Sequence, residues 1–311
     1  MGNTIISDAD EENAVRRIAG GFLGVEPETV ERMTFGHRSR TYQTTVSKQS
    51  VIVRTNAKPE TFVTTAANIG TLNGLGLPVP QVLASDFTLR EYPFAYMALK
   101  SIPGRDLRYE LGSMNRSHMT TLAEQLTDYQ KRVGTLPRGK GFGYAGIGES
   151  APHQSWIDVI AGELPENPPI AEPLRTWHSI LTSLIRKHEK YLRSVLATCF
   201  LDDITVKNVI VKDGILQGLI DFDCVCYGDP LWWIGLTAAG IVSDVGSAEL
   251  FYVNELCRIY GLTDEQRQIA ALYCAMHAFS FVGRADGSEN EDWRERMRGH
   301  VEEWIGDAKR V

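Results

Sequence analysis

Phe200-Leu201-Asp202-Asp203-Ile204-Thr205-Val206-Lys207-Asn208-Val209-Ile210-Val211, continued by Gly218-Leu219-Ile220-Asp221-Phe222-Asp223, is the stretch on which the reading of this chain turns. Its two apolar runs, one ending at Val211 and one covering 216–220, flank Lys212-Asp213-Gly214, a turn signal between two strands. If the runs pair as a hairpin, the loop before the first and the end of the second lie together. Asp203, Asn208 and Asp221 then converge in one mouth. A carboxylate and an amide oxygen suit Mg²⁺, a hard ion that keeps some water and takes phosphate oxygens. A second carboxylate off the metal can orient a hydroxyl and accept its proton. Any one of these residues alone would read as turn chemistry. Asp-x4-Asn, with Ile-Asp-Phe-Asp placing Asp221 13 residues after Asn208, reads instead as a site.

Toward the N-terminus the pattern changes. A first helix is expected, capped by Ser7 or Asp8 and carrying Val15, Ile18, Ala19 and Phe22 as its apolar stripe. Strand-like runs follow at 30–35, 41–46 and 50–54, joined by connections short enough for hairpins at 36–40 and 47–49. A helix over 60–75 stops at Gly76 before Pro78, and two more strands fall at 81–85 and 94–99. This predicts a five-stranded antiparallel sheet with a helix inserted after its third strand. Ile102-Pro103-Gly104 punctuates the chain, after which helical patterns occupy 117–133, 156–162, 174–196, 230–242, 247–260, 263–282 and 289–305. The expected class is α+β: a β-rich lobe of residues 1–101 and a larger, mainly helical lobe of residues 102–311.

Composition narrows the partners. The 311 residues suggest about two domains of roughly 150 residues each. With 39 acidic against 32 basic residues the net charge is −7, which argues against nucleic acid and suits a cationic small molecule. No run of about 18 apolar residues suggests a membrane span, and the acidic N-terminal segment lacks a signal peptide's basic and apolar regions. The cytoplasm is the expected location. The five cysteines form an odd, scattered set, expected to be buried free thiols rather than disulfides or a zinc site.

The site stretch resembles the catalytic centre of the aminoglycoside phosphotransferase and choline kinase-like family, small-molecule relatives of protein kinases. That family's pattern is H-x-D-x-x-x-x-N, then I-D-[FW]-[DE], then G-D-P; here these positions read 201–208, 220–223 and Gly228-Asp229-Pro230. The resemblance runs over most of residues 30–285 and implies a bilobal protein-kinase-like fold. It further implies an ATP- and Mg²⁺-dependent phosphotransferase acting on a small-molecule hydroxyl. Asp203 would be the catalytic base, Asn208 and Asp221 magnesium ligands, and Asp229 with Pro230 structural, Asp229 anchoring the next helix. ATP would lie between the lobes, its adenine against the connector at Met97, Leu99 and Ile102. Shorter matches, similar to the hygromycin B phosphotransferase branch, are Gly36-x-x-Ser39-Arg40-x-Tyr42 as a loop over the phosphates, Val53-Arg54-Thr55-Asn56, Leu77-Pro78-Val79-Pro80, and Gly141-Phe142-Gly143 leading to Trp156.

The departures carry expectations too. Leu201 stands where the family has the His that braces the catalytic loop, so a different brace is required. Arg54 replaces the Lys that clamps ATP phosphates; it keeps the charge and adds a bidentate fork. The acid expected to pair with that cation falls near Thr65 and is absent. Lys207, four residues after Asp203, has two readings: a phosphate contact or a solvated loop lysine. The acidic run at 286–292, with Glu289, Glu291 and Asp292, reads either as a helix's acidic first turn or as an anionic wall for a cationic substrate. Gly141-x-Gly143-x-x-Gly146 is read as a plain loop without a strand before it, and Trp232 and Trp233 as helix packing. Two other readings stay open: a catalytically silent kinase-like binding module, and a kinase of a sugar or amino alcohol metabolite. A protein kinase is disfavoured, because Gly228 arrives only seven residues after Asp221 and leaves no room for an activation loop.

Overall fold

In a computed structural model of the chain, the described residues are 7–33, 39–46, 49–167, 169, 171–285, 287 and 289–310. Ser7 caps α1 (Asp8–Leu23), its Oγ accepting from the Asp10 N–H at 3.2 Å, and Gly24 ends the helix in the left-handed region. The helix buries Ala14, Val15, Ile18 and Ala19; Phe22, expected in that stripe, is instead 42% exposed, so the buried face stops a turn before the end.

The sheet expected from the sequence is present. Strands β1 (Thr29–Met33), β2 (Arg40–Val46) and β3 (Gln49–Asn56) precede α2 (Pro59–Gly74), and β4 (Val82–Asp86) and β5 (Ala95–Lys100) follow it. All pairings are antiparallel and the strand order is β1-β2-β3-β5-β4. Along β3, Val51, Val53 and Thr55 point into the core with α1, Tyr42, Phe94, Tyr96 and Ala98, which puts Arg54 on the opposite face. These elements, up to Pro103, form one compact unit that also includes the distant tripeptide Phe222–Cys224. The unit is not continuous in sequence.

The second unit comprises Gly104–Asp221 and 225 onward. Its elements are β6 (Arg105–Asp106), α3 (Leu107–Glu110), α4 (Arg116–Val133), β7 (Gly143–Ala145), α5 (Trp156–Gly162), α6 (Leu174–Lys187), α7 (Glu189–Ser194), β8 (Thr198–Phe200), β9 (Val209–Lys212), β10 (Ile215–Leu219), β11 (Val225–Gly228), α8 (Leu231–Asp244), α9 (Phe251–Tyr260), α10 (Asp264–Arg284) and α11 (Glu291–Lys309). Two small sheets, β10-β9-β6 and β7-β11-β8, sit among the helices. The helix expected over 174–196 breaks at His188, whose buried ring faces the Ala308 carbonyl at 3.2 Å. The loop expected at 141–146 contains β7, a strand of three residues whose partner is β11. None of the five cysteines is in a disulfide; Cys199, Cys226 and Cys274 are buried, while Cys224 and Cys257 are partly exposed.

Candidate active site

Strands β9 and β10 pair antiparallel, with Lys212 opposite Ile215 and Val209 opposite Leu219. Asp213 and Gly214 both have positive φ, 54° and 75°, the conformation of the tight two-residue turn that matches strand twist. At the open end the ladder continues past Leu219, where the Ile220 N–H donates to the Asn208 carbonyl at 3.0 Å. Asp221 therefore emerges beside Asn208. The Asn208 side chain turns back on the loop, its Nδ2 donating to the Asp203 carbonyl at 2.9 Å, and Thr205 Oγ1 donates to Asp203 Oδ1 at 3.2 Å. The hairpin thus brings together Asp203, Asn208 and Asp221.

The electrostatics match that crowding. Burial by the surrounding protein, then the Asp221 charge, pushes the Asp203 carboxyl up to about 6, although its side chain opens to solvent. Asp202 is pushed up to about 7 by burial first and then by the charges of Asp203, Asp221 and Glu163. Asp221 holds φ at 67°, unusual for a non-glycine residue and the kind of strained backbone that collects at functional sites. With the Asn208 amide nitrogen spent on Asp203, its oxygen remains as a donor to a cation. The Asp221 carboxylate and that amide oxygen fit a hard dication completed by water and phosphate oxygens, with the Asp203 carboxylate beside them. Among the described residues no cluster of three or more His, Cys, Asp or Glu forms a metal-holding group.

Leu201 is buried, and the brace expected in place of the family's His comes from α4. Gln130 Nε2 donates to the Leu201 carbonyl at 2.6 Å and the Leu201 N–H donates to Gln130 Oε1 at 3.0 Å. Farther along the loop, Trp233 Nε1 donates to the Ile204 carbonyl at 3.0 Å and the Arg108 N–H to the Val206 carbonyl at 2.9 Å. Sequence reading missed Gln130 because its partner lies 71 residues away and glutamine carries no motif. Asp229 takes the anchoring place expected of it, accepting from the Leu231 N–H, Tyr191 and Tyr273. Trp232 and Trp233 are buried in α8.

The other expected residues lie as follows. Arg54 engages Ser39 and Asp223, and Asp223 also accepts from Thr65. Arg40 is turned to α1, pairing with Glu11 and, at 3.0 Å, with Asp8. Met97 and Leu99 are buried inside β5, while Ile102 is partly exposed beyond it. Gly36 lies outside the described residues. The Lys207 ammonium is 2.8 Å from Asp244, an ion pair at the end of α8. Glu289 and Asp292 line an open depression with Asn290, Trp293 and Arg296, whereas Glu291 is shared between Arg294 at 3.6 Å and Arg298 at 3.9 Å. The acidic run is therefore faced by arginines from the next turns of α11, which its own segment does not reveal.

A five-stranded antiparallel unit and a mainly helical unit carrying a braced Asp-x4-Asn loop make up a protein-kinase-like fold. The chain belongs to the phosphotransferase enzyme family (APH), whose model matches residues 29–272. Among solved structures, the apo form of a thermostable mutant of aminoglycoside phosphotransferase APH(4)-Ia superposes with a TM-score of 0.70 at 15% identity, over 95% of this chain and 100% of that one. A ternary complex of a thermostable mutant of the same enzyme with ADP and hygromycin B gives 0.62 at 13% identity, over 96% and 100%. The GDP and kanamycin complex of APH(2")-IIia gives 0.67 at 14% identity, over 95% and 98%. No curated protein sequence matches the chain.

Proposed function

We propose that the chain transfers the terminal phosphoryl group of ATP, with Mg²⁺, to a hydroxyl of a small cationic acceptor. The convergence of Asp203, Asn208 and Asp221 at the open end of the β9–β10 hairpin carries this reading. Asp221 and the Asn208 amide oxygen would hold the ion, which neutralises charge on the phosphate oxygens. Asp203, off the metal, accepts the acceptor's hydroxyl proton. Its proton affinity, raised to about 6, keeps it ionised near neutrality yet basic enough to share that proton. Arg54, and Ser39 in the segment entering β2, would lie on the phosphate side; Met97, Leu99 and Ile102 mark the adenine side. An amine on the acceptor relieves the like charges of Asp202, Asp203, Asp221 and Glu163, and this favours a cationic acceptor over a neutral sugar. A second anionic contact with such an acceptor is assigned to Glu289 and Asp292.

The test is ADP release over a panel of aminoglycosides, amino sugars, sugars and amino alcohols, with Asp203→Asn alongside wild type. One amine-bearing acceptor should stimulate release, and Asp203→Asn should bind nucleotide normally while losing about 10²- to 10⁴-fold in turnover. Wild-type turnover in that variant would remove Asp203 from the mechanism; nucleotide binding without release for any acceptor would favour a binding module.

A further inference from the structure

Arg54 sits where the family's cation clamps ATP phosphates, yet the α2 position expected to hold its partner acid is Thr65. Its guanidinium is nonetheless fully oriented. Nη1 and Nη2 donate to Asp223 Oδ1 and Oδ2 at 2.9 and 2.8 Å, a parallel fork on a carboxylate, while Nε and Nη2 donate to Ser39 Oγ at 3.1 and 2.9 Å. The Arg54 and Asp223 side chains are only 13% and 9% exposed, so this is a shielded pair in which neither charge is readily left alone. The carboxylate is itself held. Thr65 Oγ1, at the α2 position where the acid was expected, donates to Asp223 Oδ1 at 2.9 Å, and Asn68 Nδ2 donates to the Phe222 carbonyl at 2.9 Å. A guanidinium has five N–H bonds. Described residues take four, and the last, on Nη1, is the one to meet a phosphate oxygen.

We infer that Asp223 is the positioning residue for the Arg54 phosphate clamp: the carboxylate missing at the Thr65 position of α2 is supplied by the second acid of Ile220-Asp221-Phe222-Asp223, and α2 contributes Thr65 and Asn68 to hold it. The chain thereby fixes two functions two residues apart, Asp221 for the metal and Asp223 for the clamp. This inference rests on the nucleotide reading proposed above.

Binding of Mg²⁺ with a non-hydrolysable ATP analogue, and of adenosine as the phosphate-free control, is measured by calorimetry for wild type, Asp223→Asn, Arg54→Met and the double variant. Wild type should bind the analogue. Asp223→Asn should weaken that binding about tenfold or more and leave adenosine within about twofold, because a charge-assisted fork orients only the phosphate-facing cation. In the Arg54→Met background Asp223→Asn should have no further effect beyond about twofold. Adding Thr65→Glu to Asp223→Asn returns a carboxylate to the same place and should recover most of the lost affinity. Independent, additive losses in the cycle, or equal losses for analogue and adenosine, overturn the inference while leaving the nucleotide reading intact. A folded wild type that binds no analogue overturns the nucleotide reading itself.

Discussion

The side-chain amide of Gln130 closes on both backbone polar groups of Leu201, accepting from its N–H at 3.0 Å and donating to its carbonyl at 2.6 Å. This copies the exchange of two hydrogen bonds between paired strands, with one residue of α4 standing in for a strand. It fixes the backbone just before Asp202 and Asp203. Leu201 is 3% exposed and Gln130 2%, so water has little access to either.

Replacing Gln130 with Leu keeps the volume and removes both partners. A buried donor and a buried acceptor are then left unsatisfied, which should cost about 2–4 kcal/mol of stability. Urea unfolding checks this, and turnover should fall more than nucleotide affinity because the loop carrying Asp203 loses its first anchor. A loss below about 0.5 kcal/mol would show that the clasp contributes nothing net.

His277 in α10 is buried with its ring centroid 3.9 Å from that of Trp232, and its Nε2 has no hydrogen-bond partner among the described residues. Burial pushes its pKa down to about 3. Below the ordinary histidine value of about 6.5, the unfolded chain takes up a proton that the folded chain refuses. Stability contributed by the neutral ring is therefore complete above pH 6.5 and is lost as pH falls toward 3, by about 1.4 kcal/mol per pH unit. Between about pH 6.5 and 5 the wild type should lose roughly 2 kcal/mol more than His277→Phe. Denaturant titrations at the two pH values measure the difference; parallel losses would mean that the ring is protonated within the fold.

What the sequence made legible was local. The β9–β10 hairpin and its three converging residues lie within 203–221, where turn chemistry and apolar runs speak directly about register. The five-stranded sheet was legible for the same reason, since consecutive strands with short connections announce themselves. What stayed hidden was carried by partners far along the chain. Gln130 braces Leu201 across 71 residues, and Asp223 orients Arg54 across 169. The strands β6, β7 and β11 are two to four residues long, too short for an alternating pattern, and exist because a distant backbone offers its ladder. Arg40, placed over the phosphates by motif position, pairs with the buried Glu11 of α1, a partner 29 residues away that its own segment does not announce.

Gly228, the first residue of Gly228-Asp229-Pro230, is required by an aromatic ring rather than by its backbone angles. It closes β11 opposite Thr198, and a Cβ there would lie 2.0 Å from Trp156 Cε3 and 2.3 Å from Cζ3. The ring has nowhere to retreat. Its Nε1 donates to Tyr273 Oη at 2.8 Å, Tyr273 donates onward to Asp229 at 3.0 Å, and Phe200 and Trp232 meet it edge-on with centroids 6.2 and 6.1 Å away. Gly228→Ala should therefore cost at least about 3 kcal/mol, the upper end of overpacking, because relief means breaking the Tyr273–Asp229 chain. Trp156→Phe removes the six-membered ring of the indole and should be destabilising alone through the cavity it leaves. Combined with Gly228→Ala it opens the space the new methyl needs, so the double variant should be more stable than the sum of the two losses by about 1 kcal/mol or more. Denaturant unfolding of the four proteins decides the matter, and strict additivity would show that Trp156 is not what demands glycine at 228.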